Sequence, residues 1–156
     1  MKSIVKLLKR AMVSGSYASL GSSVALLAGG VRDTRSAIAP VNAVSHWLWK
    51  DKALRQHKAS LRYSLAGYAI HHAASIFWAV FYEKLALRHG RASTKTQAIT
   101  DALTVSALAC AVDMQCTPER LTPGFERKLS KKSLFVVYVA FGVGLALHTL
   151  LDRKVD

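Results

Sequence analysis

The chain lacks most of the patterns on which soluble enzymes are built. It has no glycine-rich phosphate loop, no G-x-S-x-G, no H-E-x-x-H and no paired C-x-x-C, so the usual nucleotide-binding, serine-hydrolase, zinc-protease and thiol-redox signatures are all missing. Its two cysteines, Cys110 and Cys116, share one apolar segment, and neither a disulfide nor a zinc site is indicated. Acids are scarce, with 9 Asp and Glu against 22 Lys and Arg. Prolines are only three, Pro40, Pro118 and Pro123, and none falls inside a long apolar segment where it would break a helix. The most informative scarcity is local. Residues 11–31 and 133–151 hold no Lys or Arg, and residues 92–116 hold only Lys95.

What is present fits that last absence. The 156 residues are 51% hydrophobic and carry a formal net charge of +13, with a mean hydropathy of +0.20. A basic nucleic-acid-binding domain spreads its cations over helices that also carry apolar residues, because it needs a charged face on a folded surface. This chain instead alternates bilayer-length apolar blocks with positively charged loops, the pattern expected when lipid is the solvent. Nucleic acid is therefore not an expected partner. Anionic lipid headgroups are the natural counterpart of short basic loops flanking apolar spans.

Four segments are expected to cross a membrane as helices. Residues 133–151 are the clearest, since about 20 residues at about 1.5 Å each cover about 30 Å of hydrocarbon. Residues 61–83 have similar length, aromatic residues near the ends and basic flanks at Arg62 and Lys84. Residues 96–116 are weakened by Asp101 and Asp113, and residues 11–31 by serines and glycines; both fit helices that face protein, because small residues let backbones approach closely in lipid. The basic start of the chain and Ala37-Ile38-Ala39 suggest a signal peptide, but the apolar run ends too early and Pro40 follows the candidate site, so the first helix is expected to stay.

The fold class expected is thus an all-α, integral membrane bundle of four transmembrane helices forming one domain. A short interfacial helix at 40–49 follows Pro40, anchored by Trp47 and Trp49. The loop after residue 116 is expected to cap the same face. Charge counts do not decide orientation: Arg91, Lys95, Arg153 and Lys154 join the N-terminal lysines on one side, and a comparable set lies on the other. The dense basic leader of the first helix favours both termini in the cytoplasm.

Three strings, "APVNAVSHWLW" (39–49), "YAIHHAASIFWAVFYE" (68–83) and "TPERLTPGFE" (117–126), resemble those of small bacterial inner-membrane proteins with four predicted spans. The resemblance implies a multi-pass protein of the bacterial inner (plasma) membrane. It brings no assigned activity and no assigned residues.

Ionisable groups at membrane depth are costly and mark candidate sites. Counted from the end nearest the tryptophan loop, His72 lies about 15 Å deep, Asp101 about 21 Å and His148 about 22 Å. Asp101 and His148 thus share a level. His71 falls on a stripe with Gly67, Ser75 and Trp78, whereas His72, about 100° around the helix, falls with Tyr68 and is expected at a helix contact. His71, His72, Asp101 and His148 are candidates for a pathway that binds or conducts a proton, a small ion or a small polar ligand. Asn42, His46 and Asp113 are candidates for a polar site at the outer mouth. A non-catalytic scaffold or small subunit, in which these groups merely join helices, is the main alternative. A lipid-headgroup-modifying enzyme using His46 and Asp113 is a further one. No cofactor is expected, since His72 and His148 differ by about 7 Å in depth and would not share a haem. The expected partners are the bilayer and either a second copy or a larger membrane complex, because four helices enclose little volume.

Overall fold

The computed structural model describes residues 2–90 and 94–152; Arg91, Arg153 and Lys154, counted above, lie outside them. Every element among the described residues is helical and none is a strand. Four helices are long: α1 (Lys2–Thr34), α5 (Ala66–Arg88), α6 (Lys95–Ala111) and α7 (Lys131–Asp152). Three short ones, α2 (Ala39–Val44), α3 (His46–Trp49) and α4 (Asp51–Leu54), lie between α1 and α5. A π-helical stretch opens α5 at Leu61–Leu65 and another extends α6 at Val112–Cys116.

The long helices close a ring. α1 packs on α7 and α5, and α6 packs on α7 and, less extensively, on α5. Arg10 reaches both Glu83 on α5 and Asp152 on α7, which puts the start of α1, the end of α5 and the end of α7 at one pole. The other pole is a cap. Arg32 donates to Ser130 Oγ, Ser36 to His57 O, and Trp47 Nε1 to Thr122 O, binding the segments before α5 and before α7 into one lid.

Small residues make the ring tight. A Cβ on Gly15 would stand 2.7 Å from Ile76 Cα, and one on Gly144 would stand 2.5 Å from Ala18 Cα, so α1 touches α5 and α7 backbone to backbone. The interior holds Ala11, Ser14, Ala18, Ser19 and Ser22, all fully buried, while Val24, Phe77 and Phe135 point outward at 67%, 57% and 71% exposure. That distribution is compatible with lipid as the solvent, where packing of small residues rather than apolar burial joins helices.

Three helices are long and apolar enough to cross a membrane: Ser3–Thr34, Lys95–Cys116 and Lys131–Asp152. Four were expected, and the one that falls short is α5. Its 23 residues give it the length. Paired histidines, Tyr68, Tyr82 and Glu83 remove the hydropathy. The short helix expected at 40–49 is two: Ser45 separates α2 from α3, and Lys50 ends α3 with a φ of 49°; all six residues of α2 are buried, whereas Leu48 of α3 is exposed and Trp47 and Trp49 are half-buried.

Candidate functional site

α5 and α6 are clasped at one end and parted at the other. The clasp forms where α5 ends: His89 Nδ1 stands 3.0 Å from both carboxylate oxygens of Asp101, and Gln97 Nε2 donates to Asp101 Oδ1 at 2.8 Å. Toward the cap, a cavity of about 510 Å³ opens between Ile70–Trp78 of α5 on one side and the end of α6 with the middle of α7 on the other. Both π-helical stretches lie at this cap end, on the two helices that frame the opening. π-Bulges displace side chains from the α-helical register and recur at functional sites. The second of them carries Asp113 into the cavity wall.

The lining is mostly apolar and aromatic, with two polar stations. On one wall His71 Nε2 meets Ser22 Oγ of α1 at 2.8 Å. On the other, Tyr138 of α7 donates its hydroxyl to Asp113 Oδ2 at 2.8 Å. Phe125, from the cap, packs against both, with its ring centroid 6.3 Å from that of His71 and 6.3 Å from that of Tyr138.

The residues singled out in the sequence are distributed differently from the two groups expected. His72 stacks on Tyr68 at 5.8 Å, and its Nδ1 is buried without a hydrogen-bond partner. Asp101 binds His89, not His148. His148 Nδ1 instead lies 3.6 Å from Glu83 Oε1. The equal depth of Asp101 and His148 did not make them neighbours, because axial rise fixes a level and says nothing about azimuth. Asn42 and His46 do not meet Asp113 at a mouth. Asn42 is fully buried; its amide donates to Gln56 O and Lys58 O, and its Oδ1 accepts from Ser64. His46 faces two backbone carbonyls, Ala43 O at 3.0 Å and Glu119 O at 3.3 Å. Both residues staple the lid. The structure thus joins one member of each expected group, His71 and Asp113, in a single cavity.

A second polar cluster escaped the sequence reading. Glu83, 2% exposed, accepts from Arg10 Nε at 3.0 Å and from Ser14 Oγ at 2.9 Å. Its signal was its helical spacing from Ser75, Ala79 and Ala86, which places it on the small-residue, inward face of α5. No group of three or more His, Cys, Asp or Glu suited to a metal ion occurs among the described residues. No protein-family model, curated protein or solved structure matches the chain.

Proposed function

We propose that the chain is a four-span protein of the bacterial inner membrane, with both termini cytoplasmic, that takes a lipophilic small molecule from the bilayer into the cleft between α5 and α6. The cleft carries this proposal: it is walled by apolar and aromatic side chains, holds few polar groups, and has the size of a ligand site. Phe77 both lines the cavity and is more than half exposed on the outer surface, which favours an opening sideways into lipid. α5, short of hydropathy on its own, crosses as a member of the ring, with Glu83 neutralised by Arg10 and His71 bonded to Ser22 of α1. Binding is favoured over conduction, since α1 meets α5 and α7 backbone to backbone at Gly15 and Gly144 and leaves no room for a water column there.

The test uses the full chain in native membranes and a small diazirine that partitions into hydrocarbon. Photolabelling should reach Val137 and Phe141, which are nearly buried but line the cavity, as well as the outward Phe135. Labels confined to outward residues would sink the proposal. Cys116, exposed at the cap, should react with an impermeant maleimide only from the periplasmic side, whereas reaction from the cytoplasm would reverse the orientation.

One observation favours a second role as a small subunit. α1 turns Val13, Tyr17, Leu20, Val24, Leu27 and Val31 outward at alternating steps of four and three, the seam spacing of paired helices. A lipid-headgroup enzyme finds no such support, because both ring nitrogens of His46 face backbone carbonyls.

A further inference from the structure

Each wall of the cleft keeps one polar atom in reserve. His71 spends Nε2 on Ser22, and Asp113 spends Oδ2 on Tyr138; His71 Nδ1 and Asp113 Oδ1 have no hydrogen-bond partner among the described residues. Neither is sealed in the way that His72 Nδ1 is. An acyl chain would leave both unpaired in an apolar cavity, and an unpaired polar atom there is costly. A ligand that satisfies both must carry two polar atoms on opposite edges of an apolar body. The space must suit a ring, because Trp47, Phe77, Trp78, Phe125 and Phe141 make its wall an aromatic enclosure. Aromatic side chains favour offset or edge-to-face partners at about 4.5–7 Å between centroids.

We infer that the cleft binds a hydroquinone: a six-membered ring with hydroxyls at opposite edges, read by His71 on α5 and Asp113 on α6, and an apolar tail leaving past Phe77 into lipid. This assignment rests on the proposed uptake of a lipophile into the cleft. Ser22 gives its own proton to Ala18 O, so His71 Nε2 donates to Ser22 Oγ and Nδ1 is left to accept; the Asp113 carboxylate also accepts, and the two take the two hydroxyls of the reduced ring. Binding alone is inferred; no electron transfer is assigned.

The full chain with Trp49→Phe, in phosphatidylcholine nanodiscs, leaves Trp47 and Trp78, both on the cavity wall, as reporters. Decylubiquinol should quench them saturably at one molecule per chain, oleic acid at equal concentration should not displace it, and the oxidised ring, which has no hydroxyl to give, should bind more weakly. His71→Gln removes the reserve nitrogen while keeping an amide for Ser22. It should weaken binding about tenfold, the loss expected for one net hydrogen bond. Asp113→Asn should weaken the reduced form more than the oxidised one, because an amide donor replaces an acceptor. If either variant loses helicity, Tyr138→Phe keeps the ring, releases Asp113 Oδ2, and should still change the ratio of the two affinities. Affinity and ratio unchanged across the variants would overturn the assignment, as would displacement by oleic acid. If decylubiquinol fails to bind while the diazirine labels Val137 and Phe141, the ligand class is wrong and the cleft proposal stands. If neither enters, both fall.

Discussion

Glu83 provides the sharpest test of what holds the ring together. It is 2% exposed, and its carboxylate takes two donors, Arg10 Nε at 3.0 Å and Ser14 Oγ at 2.9 Å. Glu83→Ala removes both contacts and leaves a gap, while Arg10 keeps its second partner, Asp152 at 2.9 Å. Polar contacts in membrane bundles average about 0.6 kcal/mol and reach about 1.7 kcal/mol, so two contacts set a range of about 1–3 kcal/mol. The upper half of that range applies, because Arg10 is only 13% exposed and loses its more buried partner. Glu83→Gln, which keeps the size and one acceptor oxygen, should cost about half as much. Unfolding by SDS in mixed micelles, followed by helicity, measures both. Lys84→Ala, one residue on and exposed, should stay within about 0.5 kcal/mol of the parent. A double-mutant cycle of Glu83→Ala with Arg10→Met should return a coupling of about 1 kcal/mol. If Glu83→Ala is no more harmful than Lys84→Ala, the buried pair contributes nothing and α1 and α5 are joined by packing alone.

Other consequences are equally direct. Asp101→Asn should couple to His89→Ala, which shares its hydrogen bonds, and be additive within about 0.5 kcal/mol with His148→Ala, which does not. A coupled Asp101 and His148 would refute the clasp. Gly144→Leu should lower stability by about 1–3 kcal/mol or more, since its first new carbon would meet Ala18 Cα at 2.5 Å; an unchanged unfolding midpoint would mean α1 and α7 do not pack so closely.

The long helices were legible because block alternation of apolar and basic residues is a one-dimensional signal. Residues 11–31, 96–116 and 133–151 lie within α1, α6 with its π-helical extension, and α7. α1 begins much earlier than residue 11, since Ile4, Val5 and Leu8 continue its apolar spacing between the lysines. α5 was judged by length and aromatic ends, and its histidines and Glu83 cost it the hydropathy that the other three have. Side-chain partners were not legible. Helical rise gave depths, but His89 lay beyond the segment's expected end at residue 83, so the true partner of Asp101 was never in the comparison. The cavity could not be read at all, because it arises from the divergence of two helices and a local change of register at Val112–Cys116.

The largest contact in the ring joins its first helix to its last, α1 to α7. During synthesis, α1 and α5 are therefore made with one flank still uncovered, and Gly144 cannot seat on Ala18 until α7 has been delivered. Arg10 and Glu83, both supplied earlier, can neutralise each other in the meantime and hold the unfinished pair in register. A ribosome stalled within the cap loop at 117–130 would leave a three-helix intermediate with the serines of α1 uncovered, a species that quality control should distinguish from the finished chain by exposed polarity alone.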